Sequence, residues 1–173
     1  MFTDNYIAFR RMAFFGGSTT YYVTDYTGAT KSVNWTYSGN SDFGNAMHVG
    51  RSFSNLASKY NGVYFGSGIT APKRSDYCLE SPIETGLALT SGSIVIGYNG
   101  DGIGEASATF SANNTSDADI TISEIGYFGK LANGTASSNE CLVLYERTVL
   151  DEPITIAPGV TKLITYKITF NHR

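Results

Sequence analysis

The chain has 173 residues, a formal net charge of -3 and 16% charged residues, against about 25% in an average globular domain. A weakly acidic balance without clustered Lys and Arg excludes an electrostatic nucleic-acid binder. No run approaches the ~20 apolar residues of a membrane-spanning helix. The length suits one domain, and no linker marks a second.

The opening "MFTDNYIAFRRMAFFGG" superficially resembles a leader, but an acid comes first and the Arg pair sits inside the apolar run, so it reads as part of the fold. "TDNYIAFRRMAFF" fits a short helix capped by Thr3 or Asp4 and stopped by Gly16-Gly17. The β-prone runs Thr20–Thr24 and Lys31–Tyr37 flank a Thr-Gly turn, as in a hairpin. Residues 38–60 are polar and punctuated by glycine, and read as an irregular insertion with Phe43, Met47, Phe53 and Leu56 as anchors. "GVYFGSG" returns to strand.

"FGSGITAPKRSDYCLESPI", Phe65 to Ile83, reads as a connection. Gly66 and Gly68 are expected to take positive φ, Pro72 and Pro82 to hold extended backbone, and Asp76 to make an Asx turn. Tyr77, Leu79 and Ile83 would pack onto a sheet. Strands then follow at Leu87–Asn99, Glu105–Ala112, Asp119–Phe128 and Cys141–Leu150, with a turn at Asn99–Gly102. The last strand ends at Phe170 after a Pro158-Gly159 turn; Ile164, Tyr166, Ile168 and Phe170 share one face, and Leu163, Thr165, Lys167 and Thr169 the other.

The 12 Tyr, 10 Phe and 19 Gly fit pleated strands joined by tight turns. The expected fold is mainly β: an antiparallel β-sandwich, jelly-roll or Ig-like, with a short N-terminal helix or arm. It forms a single domain over residues 1–173, with the arm over 1–17 and the insertion over 38–60.

Reactive chemistry is sparse. The chain has 2 His, of which His48 lies in the irregular stretch and His172 is next to last. There is no Gly-x-Ser-x-Gly elbow and no His-Glu-x-x-His. Cys78 and Cys141 read as reduced structural thiols. "NGDGIGE" offers Asp101 and Glu105, but Ile103 and glycines occupy positions a calcium loop needs for oxygen ligands; Asp117 and Asp119 are a similarly weak pair. No Gly-rich turn opens a helix that would cradle phosphate. Neither an enzyme nor a resident cofactor or metal is expected. Arg147 and Glu124 read as a cross-strand or strand-end pair, worth little if exposed.

Three stretches together resemble a recurrent pattern in structural proteins of tailed bacteriophages: "VYFGSGITAPKRSDYCLESPI", "ITISEIGYFG" and "LVLYERTVLDEPITIAPGVTKLITYKITF". They cover roughly Val63 to Phe170. The insertion over 38–60 and Cys78 inside the Asp-Tyr-x-Leu motif depart from that pattern.

The resemblance implies a non-enzymatic virion component, assembled in the bacterial host cytoplasm. Its role would be capsid decoration or head fibre, with neck or tail as alternatives. Its partners would be other virion proteins (major capsid, neck or tail components) in a symmetric homo-oligomer, without nucleic acid or membrane. Apart from the resemblance, Phe2, Tyr6, Ile7, Phe9, Phe14 and Phe15 are too many large apolar groups for a free tail, and with Arg10 and Arg11 they read as an arm that docks on a partner, an aromatic and Arg set suited to hot spots. The same residues could instead cover their own sheet. A receptor- or carbohydrate-binding module, stacking ligand on Trp35, Tyr37, Tyr60 or Tyr64, is the reading from a different class.

Overall fold

A computed structural model of the chain describes residues 1–15, 20–34, 62–98, 104–132 and 140–170. The insertion over 38–60, Trp35, Tyr37, Tyr60, His48, His172 and the Asn99–Gly102 turn lie outside the described residues. Among the described residues the fold is mainly β, with antiparallel sheets and one helix.

Helix α1 spans Asp4–Phe15. Thr3 does not cap it with its side chain, as the sequence suggested. The Thr3 carbonyl accepts from the Ile7 N–H, while its hydroxyl donates to the Leu144 carbonyl. Strands β1 (Thr20–Thr24) and β2 (Thr30–Asn34) form the expected hairpin. Its turn is organised by Asp25, whose carboxylate accepts from the Thr27 N–H, the Thr27 hydroxyl and the Ala29 N–H. Gly28 supplies the positive φ of 86°.

Two three-stranded sheets follow. The first has the order β3-β6-β7, with β3 at Gly62–Gly66, β6 at Ile120–Ala132 and β7 at Glu140–Ile156. The second has the order β4-β5-β8, with β4 at Leu87–Tyr98, β5 at Gly104–Asn114 and β8 at Thr161–Phe170. Strand β7 runs through Pro153 as one element, where the sequence suggested a break after Leu150. Proline is tolerated there because residues 150–153 fall in a gap of the β6–β7 ladder, between the pairs Glu124↔Val149 and Ile122↔Ile154.

Both sheets contribute to one apolar cluster. Val63, Phe65, Ile122, Tyr127, Val143 and Tyr145 of the first sheet share it with Ala108, Phe110, Ile164, Tyr166 and Ile168 of the second. The rings of Phe65 and Phe110 meet edge-on at 6.0 Å. Strand β8 alternates as its sequence does, with Ile164, Tyr166 and Ile168 buried and Leu163, Thr165 and Lys167 exposed.

The first sheet does not alternate, because both its faces are covered. Tyr64, Phe128, Leu142 and Leu144 form a second cluster with Leu79, under a strap over residues 67–82. Polar links also cross between the sheets: the Asn114 side-chain amide on β5 donates to the Ile156 carbonyl on β7, and the buried Tyr166 hydroxyl donates to the Glu146 carboxylate, which also accepts from Thr148 and the Met1 amino group. Tyr166→Phe should destabilise the fold by about 1–2 kcal/mol, since Glu146 keeps two other donors. Urea denaturation measures this, and an unchanged midpoint would sink the assignment.

Candidate functional site: a strap anchored on a buried ion cluster

The strap leaves the first sheet at Gly66 and returns to it at Pro82, where the two residues form a β-bridge. The Ser67 N–H donates to the Ser81 carbonyl and the Ile83 N–H to the Phe65 carbonyl. Two strap residues, Leu79 and Cys78, pack into the second cluster. Tyr77, expected on the sheet, is instead exposed beside Gly28 of the hairpin turn.

Beneath the strap lies Glu124, 0% exposed. Its Oε1 accepts from the N–H groups of Gly68 at 3.1 Å and Ser81 at 2.8 Å. Its Oε2 accepts from the Glu80 N–H at 3.1 Å and from Arg147 Nε at 2.7 Å. Arg147 is itself buried and spends its remaining nitrogens on Asp76 at 2.9 Å and Glu80 at 3.3 Å. The sequence paired Arg147 with Glu124 but gave no sign that the pair is buried. Burial opposes the charge on Arg147, yet the hydrogen bonds to Glu124 and Asp76 and the fields of both carboxylates outweigh it and raise its pKa.

A bulge aims Arg147 at this cluster. In a regular strand Tyr145 and Arg147 would share a face. Here β6 pairs Phe128 with Leu144 and Tyr127 with Glu146, so Tyr145 is an extra residue on β7. Tyr145 and Glu146 therefore both serve the inter-sheet cluster, and Arg147 turns to the strap.

Gly66 and Gly68 were expected to be needed for positive φ, but neither has it. They are needed for close approach. A Cβ on Gly66 would overlap the Glu124 carboxylate and sit 2.7 Å from the Ser81 carbonyl oxygen. A Cβ on Gly68 would lie 2.6 Å from Glu124 Oε1.

At the outer end Glu80 holds the tip of the strap. Its carboxylate accepts from the Ile69 and Thr70 N–H groups and from the Thr70 hydroxyl. Asp76 does not make the expected Asx turn onto later residues; it accepts from the Lys73 N–H three residues back. The hydrogen bonds from Thr70, assisted by Ile69 and Arg147, hold Glu80 below the usual carboxylate range. In Asp25, burial pushes the pKa up, but the bonds from Thr27 and Ala29 and the charge of Lys31 prevail and lower it.

A carboxylate with a lowered folded-state pKa stabilises the fold above its unfolded value and loses that contribution as pH falls through the folded value. Stability should therefore decline as pH drops below about 4.5, the ordinary value for Glu. Denaturant midpoints from neutral to acid pH test this, and Glu80→Gln should flatten part of the decline. A profile as steep in Glu80→Gln as in the parent would remove Glu80 from the account.

The N-terminal residues join the same structure. Thr3 N–H donates to the Tyr145 carbonyl and Arg147 N–H to the Met1 carbonyl, so residues 1–3 line the edge of β7. Phe2 stacks on Tyr6 at 4.2 Å, and both pack on the inter-sheet cluster. Asp4 pairs with Arg74 of the strap, and the Asp4 N–H donates to the Arg74 carbonyl. Asn5 exchanges two hydrogen bonds with the backbone of Thr24.

Of the proposed interface residues, then, Phe2 and Tyr6 face their own fold. Ile7 is half-buried, and Arg10 and Arg11 are exposed. The side chains of Phe9, Phe14 and Phe15 lie outside the described residues.

Tyr64 cannot serve as a stacking platform, being 2% exposed and packed edge-on against Phe128. Burial pushes the Cys78 thiol up to about 11, with Glu124 and Glu84 adding to the shift. Burial likewise raises Cys141 to about 11. Both are free thiols. Among the described residues, no group of His, Cys, Asp or Glu is arranged to hold a metal ion, and no helix is long and apolar enough to cross a membrane.

The fold and site define a mainly β protein whose antiparallel sheets carry a rigidly anchored surface strap. Compared with models of known families, with curated proteins and with solved structures, the chain matches none.

Proposed function

We propose that the chain is a non-enzymatic structural component of a tailed-phage virion, a capsid decoration or head-fibre protein built as a β-sandwich. One observation carries this reading. The three stretches that resemble phage structural proteins, far apart in sequence, contribute to one physical unit: Gly66, Gly68, Asp76 and Leu79 from the first, Glu124 and Gly126 from the second, Arg147 from the third. A Cβ on Gly126 would lie 2.8 Å from Leu79, so this glycine too is part of the seat for the strap. The motif set thus corresponds to a device that fixes a surface loop. A loop ordered before it meets a partner loses little entropy on binding, which suits a protein that acts by geometry and repetition.

Arg74 of the strap meets the start of the N-terminal helix at Asp4, and Ile69 and Lys73 of the strap and Arg10 and Arg11 of the helix are exposed. These elements together are the proposed face toward other virion proteins. The test is a reconstruction, at side-chain resolution, of the particle that carries the chain. It should show a fixed copy number, with the strap tip and α1 against a neighbouring protein. Absence of the chain from purified particles would overturn the reading.

A receptor- or glycan-binding module is the second reading, favoured by Tyr22, which stands 71% exposed on the hairpin. Loss of a saturable ligand on Tyr22→Ala would support it.

A further inference from the structure

Among the described residues the two three-stranded sheets have four edge strands, and three of them are defended. Strand β3 has only 5 residues, and strap residues 81–83 close its far end. Strand β7 carries two register shifts, and its open edge receives Met1, Thr3 and the Tyr26 N–H. Strand β4 is broken by a bulge between Ser91 and Ile94. Short length, bulges and covering segments are the usual means of keeping an edge from pairing with another chain.

Among the described residues, strand β8 has none of these. It pairs with β5 without a register shift from Thr161 to Phe170 and contains no proline. Among the described residues no strand lies on its other side. It also carries Leu163, 77% exposed, the most exposed large apolar side chain among the described residues.

We propose that β8 is the interface to a second copy of this chain, the two β8 strands pairing antiparallel about a two-fold axis at Thr165. The proposal does not rest on the virion reading. A two-fold perpendicular to the sheet keeps apolar faces aligned only when it passes through a residue, because facing residues must then point to the same side. Centred on Thr165, the axis sets Thr165 against itself, Leu163 against the second copy's Lys167, and Lys162 against the second copy's Ile168. No like charges face each other, and the aliphatic stem of lysine covers Leu163. The result is one six-stranded sheet, β4-β5-β8-β8-β5-β4, in an isologous dimer.

The test is sedimentation of the full chain over a concentration series, combined with oxidative cross-linking of single-cysteine substitutions. The unsubstituted chain should sediment as an oligomer containing the dimer, and Thr165→Cys should give a covalent dimer beyond the background from Cys78 and Cys141. Leu163→Cys should not, because it faces lysine. Leu163→Lys, a change at an exposed position, would set Lys against Lys167 and should weaken the dimer at least tenfold with an unchanged circular dichroism spectrum. A chain that stays monomeric at all concentrations overturns the proposal. So does an oligomer in which Thr165→Cys fails to cross-link, or one indifferent to Leu163→Lys. None of these outcomes depends on whether the chain is found on a particle.

Discussion

Arg147→Met should destabilise the fold by about 3–5 kcal/mol, the cost of leaving a buried charge without its partner. Glu124 has no exposure, and Arg147 is its only cationic partner among the ion pairs of the described residues. Methionine fills part of the volume, so the loss reports charge more than cavity. Removing Glu124 as well should not restore stability, because its carboxylate also holds the N–H groups of Gly68, Glu80 and Ser81. The Gly68 N–H would then remain buried without an acceptor, and those of Glu80 and Ser81 partly so. Urea denaturation of Arg147→Met, Arg147→Lys and the Arg147→Met/Glu124→Leu pair tests the account. Lysine should recover only part of the loss, since a point charge cannot reach three carboxylates as the guanidinium fork does. A loss under about 1 kcal/mol for Arg147→Met, the range of an exposed pair, would refute the burial argument.

Gly66→Ala should cost about 2–3 kcal/mol, more than a glycine-to-alanine change in a strand ordinarily would, because overpacking here meets groups that cannot yield. The added methyl overlaps a carboxylate fixed by four donors and approaches the Ser81 carbonyl, which is held by the Ser67 N–H. The strap would have to lift, taking Leu79 out of its cluster. Amide exchange should show this: Gly68 and Ser81 lose protection in Gly66→Ala, while β5 and β8 keep theirs. Gly159→Ala is the contrast, since nothing lies within 4 Å of the added methyl and only the positive φ of 71° opposes it. Protection lost equally in all strands of Gly66→Ala would point to general unfolding instead of a lifted strap.

How far the sequence revealed this structure depended on how each strand is buried. Strand β8 has one wet face, so its period of two was visible and its buried residues followed. Strands β6 and β7 are covered on both faces, and a polar Glu124 or Arg147 within an apolar run looks like a surface position until the strap is placed over it. The bulge at Tyr145 leaves no mark in composition, yet it decides which core each later residue of β7 enters. Glycines at 66 and 68 were noticed, but for the wrong reason: backbone freedom is the usual use of glycine, whereas close approach depends on a partner 56 residues away in the chain. The Arg147–Glu124 pairing was legible as a cross-strand or strand-end pair. Its part in holding the strap required three distant segments to be brought together.

The order in which those segments are made differs from the order in which they can settle. Thr3 finds its partner on β7, 141 residues later in the chain, and the strap finds its anchors only when Glu124 and Arg147 arrive. A ribosome delivers the N-terminal helix, the hairpin and β3 well before the strand that seats them, so nearly the whole of this domain must wait, unfinished, for β7 to emerge. Until then the edge that will receive residues 1–3 does not exist, Phe2 and Tyr6 travel without their seat on Tyr145 and Glu146, and Tyr64 lacks Leu142 and Leu144. A pause in translation before Glu140 would prolong that exposed state, whereas a pause after Ile156 would act on a chain whose first sheet can already close.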